Sequence, residues 1–575
     1  MKKTTYYILF PIFFVAITSC KKDFLDRTPG ADLSEEKIFS DPTLAMNYAD
    51  NAYNHLIDEY ARFNAHRGTT SQASDEAVSG NTDISVRTLN QGLFHDHYER
   101  GGASLNDIGD VWKRAYAGIR ITNVMLSKMD VVPWGTQPSG RLDRIRGEMH
   151  FIRAFLYFEL IKRFGGVPIV DEPATIFDNI DIPRNTYQEC VDFILSDLAQ
   201  ADILLQVNYS ASEYGRATKG AARALRSRLL LYAASARNNE ANNAEKWRLA
   251  MAAADSVIKM KDNPYELQAT YNDILNVPNS PEYIMIKIRG PRVIDGFLLD
   301  FVMSPGSGGA QGSMNPTQNH VDMYEAVKKN PAGTEILSSA PITDPSSGYN
   351  EQQPYLNRDP RFYANILYND AEWQGRKMGM WAQTAANGDI NYGADFRPNN
   401  IIYSATRYYC RKMWPEVYVR NTSQRALLNF VFFRYAEILL NYAEASNEFH
   451  DSPQDDPNIR DYVNRIRVRV GMPALATNLD KDQMREAIRH ERAIELAFED
   501  HRWYDLIRWK KAKEVITKPM KAMDVIKNID GTFKYTVVDL PANYQKKFED
   551  HMYFYPIPRN EIYKSQNILI QNPLW

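Results

Sequence analysis

The amino-acid sequence predicts an all-α fold, a scaffold of stacked helix pairs that carries an irregular, loop-rich lobe. Three observations point there. Apolar residues recur at three- and four-residue spacing along most of the chain up to about residue 260. That periodicity fades between residues 263 and 424, where Gly, Pro, Asn, Asp and Ser become frequent. It returns at residue 427 and runs to residue 513. A chain of 575 residues also exceeds the ~250–300 residues at which one compact core stops growing, so several domains or an extended repeat scaffold is expected.

The first segment stands apart from the fold. Lys2 and Lys3 form a positive start, and residues 6–17 are almost wholly apolar, broken once by Pro11. The run is short for a membrane span, which needs ~20 residues, and fits the apolar region of a signal peptide. It ends in Ile17-Thr18-Ser19-Cys20, which resembles a bacterial lipobox. In a lipobox the Cys thiol takes a diacylglycerol and the preceding segment is removed, so Cys20 is the expected lipidation site. One acyl chain anchors only marginally; bacterial lipoproteins carry two or three, which makes the anchor effectively permanent. The remaining cysteines, Cys190 and Cys410, are expected as free, buried thiols. No Cys/His spacing suggests a metal.

Helices are expected at residues 108–129, 147–164, 187–205, 217–236 and 244–260. In the second, Ile152, Phe155, Leu156 and Leu160 share one face, and Arg153, Glu159, Lys162 and Arg163 belong to its polar side. Gly165-Gly166 stops it and Pro168 follows. The pairs recur loosely at the ~34-residue spacing of tetratricopeptide repeats. Trp112 with Tyr116, and Trp247 with Ala250 and Ala254, echo that repeat. Ala221, Ala222, Ala233 and Ala234 allow close helix approach. The lobe should hold short strands, such as residues 283–288. Helices are expected again at 427–447, 456–470 and 481–513, then a tail with short extended pieces such as 553–557.

Composition narrows the function. A net charge of −3 provides no basic footprint, so no nucleic-acid partner is expected. With 34 Tyr and 9 Trp, the chain is rich in side chains that pair an apolar face with a polar tip, as binding surfaces do. No HExxH, GxSxG or phosphate-cradling Gly loop is present, and no cofactor is implied. Glu495 and Glu499 lie in a charged helix among Arg489, Arg492, Arg502 and Arg508. Glycoside hydrolysis needs two carboxyls roughly 5–9.5 Å apart with one kept protonated. Flanking arginines depress carboxylate pKa values, so these residues are read as an ion network and the protein as a non-enzyme.

Several blocks, in order, resemble one family. GEMHFIRAFLYFELIKRFGGVPIV (147–170) and YGRATKGAARALRSRLLLYAA (214–234) are similar to its N-terminal blocks. NPTQNHVDMYE (315–325), PYLNRDPRFYANILYND (354–370), FRYAEILLNYAEASNE (433–448) and VNRIRVRVGMP (463–473) follow in family order. RHERAIELAFEDHRWYDLIRWKKA (489–512) resembles its C-terminal signature, and FYPIPRNEI (554–562) and QNPLW (571–575) close the chain. The family is SusD/RagB, and the resemblance spans essentially the whole mature chain. It implies a tetratricopeptide-like helical scaffold with an irregular ligand-binding lobe. It also implies an outer-membrane, cell-surface lipoprotein that delivers an oligo- or polysaccharide to a SusC-like TonB-dependent transporter. The expected organisation is a signal peptide (1–19), a lipid-anchored tether (20–33), a helical scaffold (34–262), a ligand-binding lobe (263–426) and a helical C-terminal region with its tail (427–575).

The family blocks do not cover the binding loops, so the site is read from residue chemistry. A sugar ring packs its C–H face on a flat aromatic ring, and its hydroxyls need planar polar partners beside that ring. Trp373, Trp381, Tyr392 and Tyr403 are the expected platform, with Asn81, Asp83 and Arg407 as hydroxyl partners. Three alternatives are a peptide cargo in a RagAB-like system, a surface glycoside hydrolase, and a purely structural adaptor.

Overall fold

The computed structural model describes residues 34–58, 69–80, 85–93, 107–135, 139–173, 181–288, 302–309, 312–419, 427–566 and 568–575. Helices dominate, and the long ones overlap the segments that the periodicity predicts. Long helices run Asp107–Lys128, Ser139–Phe164, Tyr187–Leu204, Lys219–Ala234 and Ala244–Ile258, each packed against the next along the chain. The last also packs on Tyr435–Phe449, which in turn meets Asn458–Arg469 and Lys481–Glu495. One apolar seam therefore continues from helix to helix. Phe155, Leu156 and Leu160 are fully buried in it, and burial of such side chains stabilises by roughly 1.5–3 kcal/mol each.

Local chemistry sets the helix ends. Gly165 closes the Ser139–Phe164 helix at φ 74°, a left-handed conformation that costs glycine nothing. A Cβ on Gly166 would lie 2.0 Å from the Asn185 carbonyl oxygen, so no side chain fits there. Thr186 then opens the Tyr187–Leu204 helix with a capping box: its amide donates to the Glu189 carboxylate at 2.7 Å, and the Glu189 amide donates to its hydroxyl at 3.2 Å. The expected polar side of the Ser139–Phe164 helix is not a solvated face. Arg153 donates two hydrogen bonds to Asp197 at 2.8 Å, and Glu159 receives Lys162 and Arg163 at 3.0 and 2.6 Å. From Phe151 to Phe164 every residue of this helix is buried, and these buried charges have partners.

Two expected helices are interrupted by tertiary contacts. Within 427–447 the chain first forms a strand, Phe430–Arg434, antiparallel to Tyr283–Lys287. The Phe-Val-Phe-Phe run suits a pleated strand, here buried along its whole length, and the helix starts only at Tyr435. The 481–513 segment splits into Lys481–Glu495, Arg502–Arg508 and Ala512–Ile516. Between the first two, Phe498 and Asp500 adopt positive φ. The Lys412 ammonium donates to the Glu495 and Ala497 carbonyls at 3.0 Å, and the Phe498 amide donates to Glu76 at 3.1 Å. These contacts draw backbone groups away from the helix ladder.

The lobe is built of short strand pairs and turns. Its largest sheet has four strands in the order Ile390–Tyr392, Ala382–Thr384, Lys521–Lys527, Phe533–Asp539. The last two come from the C-terminal tail, so the lobe is completed by residues far away in sequence. Cys190 and Cys410 are free and buried, as expected, and burial pushes their thiols up to about 11 and about 12. Among the described residues no helix is long and apolar enough to cross a membrane.

Candidate functional site

The four-stranded sheet aligns one row of side chains. Tyr392 faces Ala382, Ala382 neighbours Ile526, and Ile526 faces Lys534. Directly paired residues project from the same face of a sheet, so these four form a single row with Tyr392 at one edge and exposed Lys534 at the other. The chain turns beyond Tyr392, and the turn supplies the remaining groups.

Arg397 is exposed, and its Nη1 donates to the Gly393 and Phe396 carbonyls at 2.6 Å each. Its guanidinium lies 5.7 Å from the Tyr392 ring centre and 5.8 Å from that of Tyr403. Both tyrosines are half-buried. Phe396 meets Tyr392 edge-on at 5.8 Å and carries the Arg407 guanidinium on its other contact, 3.1 Å from the ring centre. Arg407 is itself buried; it donates to the Met380 carbonyl at 2.7 Å and to Asp524 at 2.8 Å. Burial pushes its pKa down to about 10, with Asp524 opposing.

Asp395 anchors this turn from below. Fully buried, it accepts two hydrogen bonds from Arg376 at 2.7 Å, one from the Gly379 amide at 2.7 Å and one from the Ser304 hydroxyl. Tyr403 is fixed from another side. Asn315 accepts from the Gly80 and Ala405 amides at 3.1 Å and donates to the Gly312 carbonyl at 2.7 Å. A Cβ on Gly80 would lie 2.5 Å from the Tyr403 carbonyl oxygen, so only glycine lets the two strands of chain approach.

Gly80 ends a buried arch, residues 69–80. Lys546 holds the arch: its ammonium donates to the Gln72 and Ala77 carbonyls at 2.9 and 2.8 Å and to that of Ser74. Arg502 binds Asp75 through two bonds at 2.8 and 2.9 Å. Burial lifts the Glu76 carboxyl to about 7 and lowers the Lys546 ammonium to about 7, the latter against the pull of Asp75 and Glu76.

The expected site residues divide accordingly. Tyr392, Tyr403 and Arg407 come together, although Arg407 points into the Phe396–Asp524 contact and is only 8% exposed. Trp381 precedes Ala382 and sits under Lys527, 4.7 Å from its ring centre, on the sheet face opposite Tyr392. Trp373 needs correction as a platform residue: it is 2% exposed, packed edge-on against Trp414 at 5.4 Å and covered by Arg411 at 4.8 Å. A ring enclosed in this way has no open face. Asn81, Asp83 and Cys20 lie outside the described residues. Sequence reasoning missed Arg397, Phe396 and Asp524. The first two stand beside Tyr392 in the same aromatic segment; Asp524 reaches the site only through sheet pairing from the tail.

The charged C-terminal helix forms an internal network. Glu495 meets Arg434 at 2.7 Å, Arg469 at 2.5 Å and Arg361 at 3.3 Å; Glu499 meets Arg434 at 2.7 Å and Lys412 at 2.6 Å. Burial alone would raise both carboxyls, but these cations outweigh it and hold them below the ordinary carboxylate range. Neither can serve as a proton donor near neutral pH. A cleft of about 690 Å³ lies elsewhere, between Trp247, Glu444, Arg485 and Trp509. Its arginines are already neutralised: Arg485 by Glu448 and Asp482, Arg489 by Glu486. No cluster of metal-ligating side chains occurs among the described residues.

Comparison with known proteins agrees with this architecture. A family model described as "SusD family" matches residues 260–575, and one described as "Starch-binding associating with outer membrane" matches residues 23–231. A SusD-like protein of Formosa agariphila is 24% identical over 426 residues, 71% of each chain. The solved structure of a SusD-like protein from Bacteroides fragilis superposes with a TM-score of 0.74 at 28% identity, covering 96% of this chain and 100% of its own. A second structure from that organism, described as a SusD-like carbohydrate binding protein, has a TM-score of 0.72 at 22% identity and coverages of 92% and 99%.

Proposed function

This chain belongs to the SusD/RagB family, and from that premise we propose that it is a cell-surface, lipid-anchored protein that captures a glycan without cleaving it. It hands the glycan to a SusC-like TonB-dependent transporter, and Cys20 carries the lipid. Its stacked helices act as the tetratricopeptide-like scaffold on which the lobe is mounted.

The observation that carries this reading is the half-buried pair Tyr392 and Tyr403, each with the Arg397 guanidinium near its ring, at 5.7 and 5.8 Å from the ring centres. Two partly open phenol rings offer flat faces for the C–H side of a sugar ring, and the guanidinium beside them donates to oxygens at the ring edge. The surrounding hydrogen bonds hold these groups before any ligand arrives, which reduces the ordering cost of binding. The carbohydrate-binding description of the second Bacteroides fragilis structure supports the same cargo class. A capture role also suits Glu495 and Glu499, which are held as carboxylates by arginines.

The test is affinity electrophoresis and calorimetry of the purified protein against plant, fungal, host and microbial glycans, with product release monitored. Binding of one glycan class, weakened in Tyr392→Ala and Tyr403→Ala and accompanied by no new reducing ends, is the expected result. Failure of every glycan alongside binding of a peptide mixture would replace the cargo. Release of reducing ends would replace the capture role.

A further inference from the structure

We propose that the platform takes an acidic glycan, one whose rings bear carboxylate or sulfate groups, and that Arg397 is the residue that reads the charge. This rests on the glycan-binding reading above and adds the chemical class of the cargo.

Three neighbouring arginines differ in one respect. Arg376 is neutralised by Asp395 at 2.7 Å and Arg407 by Asp524 at 2.8 Å. Arg397 has no carboxylate partner among the described residues; its hydrogen bonds go to two backbone carbonyls and use Nη1 alone. It is nonetheless not a free surface side chain. The two carbonyls fix the plane of its guanidinium beside the Tyr392 and Tyr403 rings. Nη2 and Nε remain as donors on a positioned, un-neutralised fork. A planar fork of this kind matches the paired oxygens of a carboxylate or sulfate, and such charge-assisted bonds are about twice as strong as neutral ones. Hydroxyls of a neutral sugar could accept these bonds but would leave the charge unbalanced.

A second cation stands at the other end of the platform. Lys534 projects from the same sheet face as Tyr392 and is exposed. It lies three strand spacings away, roughly 14 Å at ~4.8 Å per strand. Of the carboxylates near this row, Asp524 is paired with Arg407 and Asp395 with Arg376; exposed Asp389 accepts only from the neutral Asn387 amide, at 2.7 Å, and keeps its charge. The face thus offers cations at both ends of an aromatic and apolar strip, which suits a polymer that carries charge at intervals along its length.

The experiment is calorimetry on the purified protein with polygalacturonate and chondroitin sulfate as probes. Each is run beside its carboxyl-reduced or desulfated form and beside neutral laminarin and starch. We expect at least one acidic probe to bind. Removing its charged groups should weaken binding roughly 10- to 100-fold, and Arg397→Gln should weaken it to a similar degree with an unchanged Tm. Loss on carboxyl reduction identifies a uronate as the ligand; loss on desulfation identifies a sulfate. If a neutral glycan binds at least as tightly as either acidic probe, or if Arg397→Gln leaves affinity unchanged, the acidic class is overturned while glycan capture stands. If no glycan binds, charged or neutral, the capture reading itself falls.

Discussion

Replacing Arg434 with methionine removes a guanidinium that three buried carboxylates share. Its Nη1 donates to Glu282 at 2.6 Å and Glu495 at 2.7 Å, its Nε to Glu499 at 2.7 Å, and its Nη2 to Glu499 at 2.9 Å and to the Glu495 carbonyl at 2.7 Å. Methionine fills much of the volume but leaves the acids in excess. They keep Arg469, which serves Glu282 and Glu495, and Lys412, which serves Glu499. Removing one partner from a buried ionic set costs about 3–5 kcal/mol. An unfolding entropy of ~2.1 cal/mol/K per residue amounts to about 1.2 kcal/mol/K for a chain of this size, so Tm should fall by roughly 2–4 °C if the protein unfolds as one unit. Differential scanning calorimetry over a pH series reads both the loss and its origin. Glu499 has a folded pKa below its ordinary value of 4.5. Its stabilising contribution is therefore complete above that value and lost as pH falls through the depressed one. The gap between wild type and Arg434→Met should be widest above pH 4.5 and narrow on acidification. A Tm unchanged within about a degree, or a gap that widens in acid, would refute the ionic argument.

Three further outcomes are expected. Tyr392→Ala and Tyr403→Ala should each weaken glycan binding about 2- to 10-fold, from ~0.5–1.5 kcal/mol per ring contact, with little change in Tm; titration calorimetry and a melt on the same samples check both. Trp373→Ala should cost about 3–5 kcal/mol of stability through an internal cavity, measured by urea denaturation, because that ring packs the core. Burial lowers the Lys546 ammonium to about 7 in the fold against an ordinary value of 10.5, so the unfolded chain binds more protons between those values and this group's own contribution to stability rises with pH across that window; urea denaturation from pH 7 to 10.5 should show wild type gaining stability relative to Lys546→Met as pH rises.

The helices were the most legible part of the chain. Residues 108–129, 187–205 and 244–260 carry their own periodicity, the last two behind the N-caps Thr186 and Asn243, and their ends fall within two residues of those expected. The 481–513 stretch carries helical spacing too, but spacing cannot register that Lys412 and Glu76 claim the backbone around Phe498. The strand Phe430–Arg434 likewise exists because Tyr283–Lys287 lies beside it. For the site, the aromatic segment was legible as a region, while the direction of each ring was not. Trp373 and Tyr392 look alike in sequence; one packs on Trp414 inside the core and the other stands at a sheet edge. Asp524 had no local signal, since it becomes a neighbour of Arg407 only after the Lys521–Lys527 strand has paired.

The arch at residues 69–80 depends on side chains from the other end of the polypeptide. Arg502 reaches Asp75, and Lys546 gathers the Gln72, Ser74 and Ala77 carbonyls. Synthesis begins at the N-terminus, so these carbonyls and carboxylates exist as solvated chain for most of the time the protein is being made. They can close only when the segment around Lys546 emerges. A chain that stops short of that lysine retains every residue of the arch yet lacks the Nζ donor that holds it, so the N-terminal loops would report on whether the C-terminus has been completed.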